Sequence, residues 1–373
     1  MDGSAEAQNE AESGALTLLP PARLLPPAPI GADASAVRAW FDDAVETAAP
    51  EMDGTLGAER AAAQAFQRMA KSANTRSAYR SAVRAWCDWC ARRGLPALPA
   101  CGPDVAAFLA AERRRGMTPN TIDLRRAAIR YLHRAASCPV PTDDACVSET
   151  VAGIRRDAAA KGEAPEKKVA ATATIIQQLL TPIADDLRGK RDRALILVGF
   201  AGALRRSELA SIRVDRLEKT DRGMRLTLPQ TKGSQTDAVV VPLPYGQTEL
   251  CPVRALTAWL TAVGITDGPV FRRIWQPRHA RQDGPPPLPR IGMDAITPRA
   301  IADMIQARAM AAGFGRRDLA GHSLKRGALT TGMERGIHPA KLKRLGRHKS
   351  FDVLGEYLEF GDLFDGHPLS GVL

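Results

Sequence analysis

The sequence predicts a mainly α-helical protein with a small antiparallel β-sheet, divided into two domains. Three observations carry that expectation. Apolar residues recur at helical spacing through most of the chain, one pair of extended segments rich in Val and Leu interrupts them, and a charged stretch, AAAKGEAPEKK at 158–168, separates two runs long enough to bury separate cores. A chain of 373 residues that is 45% hydrophobic and 25% charged has the composition of a globular protein.

The opening residues, 1 to about 35, are Ala, Pro, Gly and acids without periodicity, and the acidic character continues to residue 56. Residues 1–56 therefore read as a disordered acidic tail. A helical domain is expected over 57–160. Its first helix covers Gly57 to Met69. From Thr75 to Arg93 the pattern is amphipathic, with Tyr79, Val83, Trp86 and Cys90 on one side and Arg76, Arg80 and Arg84 on another. A helix from Asp104 to Arg114 follows Pro103. The next repeats the design, turning Ile122, Ile129, Leu132 and Ala136 inward and leaving Arg126, Arg130 and Arg134 as a second basic stripe. Singly, such a stripe is a solvated face; together, two on one small bundle could straddle phosphates.

Residues 161–170 are the expected linker, and 171–366 the expected second domain. Helices should cover Thr174 to Ala184 and Lys190 to Gly202. The segment GALRRSELASI then places Arg205 at a turn before a short helix that Ser207 could cap. An arginine between two buried helices needs an anion, and either Glu208 or a phosphate could supply it. Arg225 to Leu228 and Ala238 to Leu243 read as strands joined by a hairpin carrying Lys232. The proline-rich stretch from Gln276 to Arg290 is a loop, and a helix from Pro298 to Ala312 follows.

The stretch from Gly321 to Tyr357 concentrates reactive side chains. Ser323 could cap one helix that Gly336 stops, Pro339 could open a second that Gly346 stops, and Ser350 could cap a third leading to Tyr357. Lys325 and Arg326 lie three and four residues after His322, so both can share its face. His348 precedes Tyr357 by nine residues. Tyr357 alone could be an ordinary core tyrosine, since Val353 and Leu354 share its short helix.

Several classes are excluded. No apolar run reaches membrane-spanning length, and the run from Ala15 to Ile30 is interrupted by prolines and lacks a basic flank, so neither a membrane protein nor a signal peptide is expected. A cytosolic location is therefore expected. Six cysteines in this length do not make a disulfide scaffold, and the Cys87/Cys90 pair sits in a helical pattern without a second pair, which gives no metal site. Residues 1–56 carry ten acids against Arg23 and Arg38, a net −8. The rest therefore carries +19 within a chain total of +11. A body that basic suits a polyanion such as duplex DNA.

From about Ala61 to the C-terminus the chain resembles the tyrosine recombinases of the phage-integrase type. The resemblance rests on ALRRSEL at 203–209, Lys232 in TKGS, the His322 box, His348 after Gly346, and Tyr357. The amphipathic NTRSAYRSAVRAWCDWC resembles the first helix of the family's N-terminal domain. It implies a core-binding (SAM-like) domain followed by a tyrosine-recombinase catalytic domain that together clamp duplex DNA. One position departs: where the family has its second arginine, three residues after the histidine, this chain has Lys325, with Arg326 beside it.

The implied chemistry is site-specific cutting and rejoining of DNA through a covalent 3′-phosphotyrosyl link, with Tyr357 as nucleophile. Arg205 and Lys325 or Arg326 would neutralise the phosphate, His322 would act as base or proton shuttle, and His348 as a phosphate donor. The resemblance assigns protonation of the leaving 5′-oxygen to Lys232. It also implies a homotetramer on two DNA sites, with accessory or partner recombinases, and no cofactor. The terminal residues 367–373 are a candidate for docking on a neighbouring protomer. Two other readings stay open: a non-catalytic DNA-binding regulator that keeps the fold, and a type IB topoisomerase.

Overall fold

The computed structural model describes residues 23–46, 48, 54–163, 168–229, 238–275 and 289–355. The chain forms two compact units, Met1–Pro165 and Glu166–Leu373. Each has its own hydrophobic core.

The first unit contains six α-helices among the described residues: α1 (Ala34–Ala44), α2 (Leu56–Met69), α3 (Ala73–Ala91), α4 (Gly102–Arg114), α5 (Pro119–Ala135) and α6 (Ala145–Ala160). Side-chain oxygens open most of them. Asp33, Thr55, Ser72, Thr118 and Asp144 each accept a hydrogen bond from a backbone N–H of the first turn, satisfying donors that have no partner within the helix. The core is aromatic: Trp86 stacks on Trp89 at 5.6 Å, and Phe108 meets Trp86 edge-on at 5.2 Å.

Helix α1 corrects the expectation of a disordered tail over 1–56. Val37, Trp40, Phe41 and Ala44 follow the i, i+3, i+4, i+7 pattern, and all four are buried with α3 and α5 residues in the core. The indole N–H of Trp40 donates to the Pro26 carbonyl at 2.9 Å, fixing the chain ahead of the helix. Acidic residues on the opposite side hid this pattern. Residues 1–22 lie outside the described part.

Helix α6 was also unforeseen. A Cβ on Gly102 would fall 2.4 Å from the Asp144 carboxylate, so this close approach of the α6 cap to the start of α4 requires glycine.

In the second unit, α7 (Ala173–Leu180), α8 (Leu187–Ala201) and α9 (Arg206–Ala210) precede strands β1 (Leu217–Thr220), β2 (Gly223–Leu228) and β3 (Val239–Pro244). The strands form an antiparallel sheet in the order β1-β2-β3. Leu226 pairs with Val241 and Leu228 with Val239; Leu226, Leu228 and Val241 are buried. Helix α10 (Pro252–Val263), a two-stranded sheet of β4 (Arg272–Trp275) and β5 (Arg290–Ala295), and helix α11 (Pro298–Ala311) follow. The expected loop lies mostly outside the described residues, but Arg290 begins β5.

Helix α8 is buried through Ala194, Leu195, Ile196, Leu197 and Val198, which explains a run too apolar for a surface helix. The buried Asp192 of α8 accepts from Arg191 and, at 2.6 Å, from Arg308 of α11, which ties the two helices.

Helices α12 (Ser323–Glu334), α13 (Pro339–Gly346) and α14 (Phe351–Gly355) complete the described chain. A small cluster of Leu329, Leu342 and Leu354 holds them together. The segment entering this unit runs along α12. Val169 N–H donates to the Asp318 carbonyl, Ala171 N–H to the Ser323 carbonyl at 3.0 Å, and Ala173 N–H to the Thr331 hydroxyl at 3.0 Å. A Cβ on Gly327 would meet the Ala171 carbonyl oxygen at 1.8 Å, so glycine allows the contact.

Candidate active site

Arg205 occupies the N-cap position of α9 in extended backbone, and Ser207 lies inside the helix rather than capping it. Glu208 serves as the anion. Its Oε2 accepts from the Arg205 backbone N–H at 2.8 Å and its Oε1 from the Arg205 guanidinium at 2.7 Å. The ion-pair reading of Arg205 is therefore realised, while its side chain keeps 13% exposure.

Glu208 also takes Arg347. The Arg347 guanidinium donates to Glu208 Oε2 at 2.8 Å, to the Ala203 carbonyl at 2.7 Å and to the Gly202 carbonyl at 3.0 Å. Burial would push the Glu208 carboxyl up, but Arg347 together with the Arg205 N–H and guanidinium holds it below the usual carboxylate range. Burial pulls the Arg347 guanidinium down, against the pull of Glu208. Sequence reasoning missed Arg347. The available signal was a cation directly after the glycine that ends α13 and directly before His348.

His322 is exposed at the N-cap of α12, and Ser323 does not cap the helix. Its hydroxyl instead accepts from the Ala320 N–H at 3.0 Å, bracing the turn before His322. A Cβ on Gly321 would fall 1.9 Å from Arg206 Cδ, so the Arg206 side chain crosses directly over the backbone beside His322. The Arg205 turn is thereby flanked by the His322 turn on one side and by the Arg347–His348 turn on another.

His348 is buried and packs on Gly346, where a Cβ would lie 2.4 Å from its ring. The residue in left-handed backbone is Arg347, at φ 53°, one place beyond the glycine expected to stop the helix.

Lys325 and Arg326, which the sequence left undecided, part company. The fully buried Lys325 donates its ammonium to the Gly346 carbonyl, two residues before His348. Arg326 donates to the Lys168 carbonyl, at the segment entering the unit. Sharing one face of α12 is thus not enough to send both to the same place. Lys232 and Tyr357 both lie outside the described residues, as does the 367–373 segment; α14 ends at Gly355, two residues before Tyr357.

Of the basic stripes on the first unit, three arginines are engaged by the protein itself. Arg76 donates to the Lys71 and Arg68 carbonyls, Arg80 to the Asp42 carbonyl at 3.0 Å with the Asp42 and Glu46 carboxylates nearby, and Arg130 to Asp143. Arg84 and Arg134 are exposed, Arg126 is half-buried, and none of the three makes an ion pair among the described residues. Burial pushes the Cys87 and Cys90 thiols up to about 12, which leaves them protonated. No cluster of His, Cys, Asp and Glu among the described residues could hold a metal ion.

Comparison with known proteins gives this arrangement its context. Residues 62–137 match the phage integrase N-terminal SAM-like domain. An integrase/recombinase XerD homologue of Selenomonas ruminantium is 32% identical over 324 residues, covering 84% of this chain and 89% of that protein. The chain belongs to the tyrosine recombinase family. The Cre recombinase of Escherichia phage P1 is 26% identical over 300 residues, 78% of this chain and 85% of its own. The fold agrees as well. The Tn1549 transposon integrase in complex with transposon right end DNA superposes with a TM-score of 0.55 at 14% identity, covering 84% of this chain and 97% of that one. A lambda integrase dimer bound to a COC' core site gives 0.51 at 15% identity over 78% of this chain and 73% of that one. This tyrosine recombinase is therefore a site-specific recombinase, and no described helix is long and apolar enough to cross a membrane.

Proposed function

We propose that the recombinase cuts and rejoins duplex DNA through a covalent 3′-phosphotyrosyl intermediate formed by Tyr357. The observation that carries this reading is the junction at Glu208, which draws the Arg205 turn against the Arg347–His348 turn. A phosphodiester under attack by a phenol gains negative charge on its non-bridging oxygens, so preorganised cations and donors are the main requirement.

In this reaction the Tyr357 oxygen attacks phosphorus, the bond to the 5′-oxygen breaks, and the ester stays on the protein. A free phenol titrates near 10, so its proton must be taken up, and the exposed His322 is the acceptor or shuttle. Lys232 protonates the departing 5′-oxygen. Arg205 and His348 bind the phosphate oxygens. Lys325, inside the protein, supports the Gly346–His348 turn from beneath. Arg326 serves the entry segment instead. Rejoining is the reverse attack by a 5′-hydroxyl, so the bond energy is conserved and neither ATP nor a divalent ion is required.

The first unit supplies sequence-independent affinity through Arg84, Arg126 and Arg134, with Arg76, Arg80 and Arg130 released to phosphates where DNA outcompetes their internal acceptors. Four protomers act on two DNA sites, in keeping with a lambda integrase tetramer on a Holliday junction among the structural relatives, and the substrate is a mobile element, in keeping with the Tn1549 integrase. The work is done in the cytoplasm at the nucleoid, with partner recombinases or accessory proteins setting direction.

A nicked suicide duplex tests the chemistry. The wild-type protein should form a denaturation-resistant DNA adduct and Tyr357→Phe none. Retention of DNA without any adduct from the wild-type protein would instead make it a binding regulator.

A further inference from the structure

We propose that Arg347 is a positioning residue for the strand-cleavage step, which keeps Arg205 electropositive by sharing its carboxylate and locks the Arg205 turn to the His348 turn. The inference rests on the catalytic reading above and adds a residue that the motif does not contain.

The first support is conformational. Arg347 is the residue after the last turn of α13 and holds φ 53°, a left-handed conformation that glycine adopts freely and side-chain-bearing residues rarely do. Ala203, whose carbonyl receives the Arg347 guanidinium, is also left-handed at φ 46°. Among the described residues only Ser137 shares this property without being glycine. Two unusual backbone positions thus meet across one side chain. A glycine at 347 would suit the helix end better, so the arginine is there for what its guanidinium does.

The second is its set of partners. The guanidinium reaches the Gly202, Ala203 and Leu345 carbonyls and Glu208 Oε2, all within 2.7 to 3.0 Å. Two of these carbonyls belong to the turn that aims Arg205, and the side chain is continuous with the backbone that aims His348. Shifting one turn without the other would break several of these bonds together. With only 7% of its side chain exposed, Arg347 is too enclosed to grip DNA itself.

The third is charge. Glu208 is 3% exposed and lies between two guanidinium groups, so the cluster of one carboxylate and two arginines keeps one net positive charge. Without Arg347 the same carboxylate would face Arg205 alone, and the pair would present a neutral face to the phosphate. A guanidinium is suited to this because its planar fork can serve a carboxylate and carbonyls at once, whereas an ammonium meets fewer of them in fixed directions.

The test uses the full-length protein with Arg347→Gly and Arg347→Lys. Single-turnover adduct formation on the suicide duplex at saturating protein is measured beside duplex affinity by electrophoretic retention. Arg347→Gly relieves the backbone while deleting the guanidinium. It should bind duplex as the wild type does and form adduct on the order of 100-fold more slowly, the scale expected when a reacting group is misplaced. Arg347→Lys should recover part of that rate, because it returns charge to Glu208. Adduct formation by Arg347→Gly at the wild-type rate, or parallel loss of affinity and rate, overturns the proposal. Should Arg347→Gly lack a cooperative melting transition, Arg347→Lys decides alone: slower adduct with unchanged affinity supports the proposal, and the wild-type rate overturns it. Absence of adduct from the wild-type protein would overturn the catalytic reading instead.

Discussion

His133 shows how a single side chain can set the pH range of a domain. It is fully buried on α5, with Nδ1–H donating to the Ile129 carbonyl at 2.8 Å and Nε2 accepting from the Ala100 N–H at 3.0 Å. Both ring nitrogens are used by the neutral form, so a second proton would break the bond from Ala100. Burial holds the imidazole below its ordinary 6.5. The unfolded chain therefore binds a proton that the folded one refuses. Stability is fully present above about pH 6.5 and falls as pH drops below that value, until the lowered folded value is reached, by up to about 1.4 kcal/mol per pH unit. Urea melts of the wild type at pH 7.5 and 5.5 should show this loss, and His133→Gln should flatten it. An equal pH slope in the variant would assign the loss to other groups. The same attention to both partners of a polar atom separates Lys325 from Arg326: adjacent in sequence, they serve carbonyls of residues 346 and 168.

Among the elements, α1 carries the clearest prediction. Trp40→Ala removes a buried indole and its bond to Pro26, and large-to-small changes of this kind destabilise by about 3–5 kcal/mol. A urea titration of the variant should show that loss; a change under about 1 kcal/mol would mean that α1 is only loosely applied to α3. The Val37, Trp40, Phe41 and Ala44 spacing was legible, but the acids and prolines around it imitate a tail. Helices with strong periodicity and a Ser, Thr or Pro start, such as α3 and α11, were readable to within two residues. Short strands were not. β1 and β4 have four residues each, too few for an alternation to declare itself, and their pairing depends on partners supplied by the tertiary fold. In the candidate site, Arg205, Glu208, His322 and His348 stood out in the sequence because each belongs to a local pattern. Arg347 did not, because its partners at 202, 203 and 208 are distant in sequence and only folding shows that they accept from it.

Across the molecule, charge is distributed unevenly: net −8 over residues 1–56 and +19 over the remainder. Part of the acidic segment is spent inside the first unit, where Asp42 and Glu46 of the α1 region face Arg80. Arginines already satisfied in this way release fewer counterions on binding than those facing solvent. Arg84→Ala or Arg134→Ala should each reduce the slope of log affinity against log salt by about 0.9, while Arg130→Ala, which gives up a pair with Asp143, should change it less. Filter-binding titrations over a salt series would measure this, and identical slopes for all three variants would remove the distinction.

The stitching of residues 168–173 to α12 has a mechanical side. A pull applied to the peptide at Lys168 is carried at once by Arg326, by the Ala171–Ser323 bond and by the Ala173–Thr331 bond, all anchored on one helix whose first turn bears His322. Strain in that peptide would reach the first turns of α12 directly, because its bonds run to this helix. The peptide then acts as a tether with a defined point of load on α12.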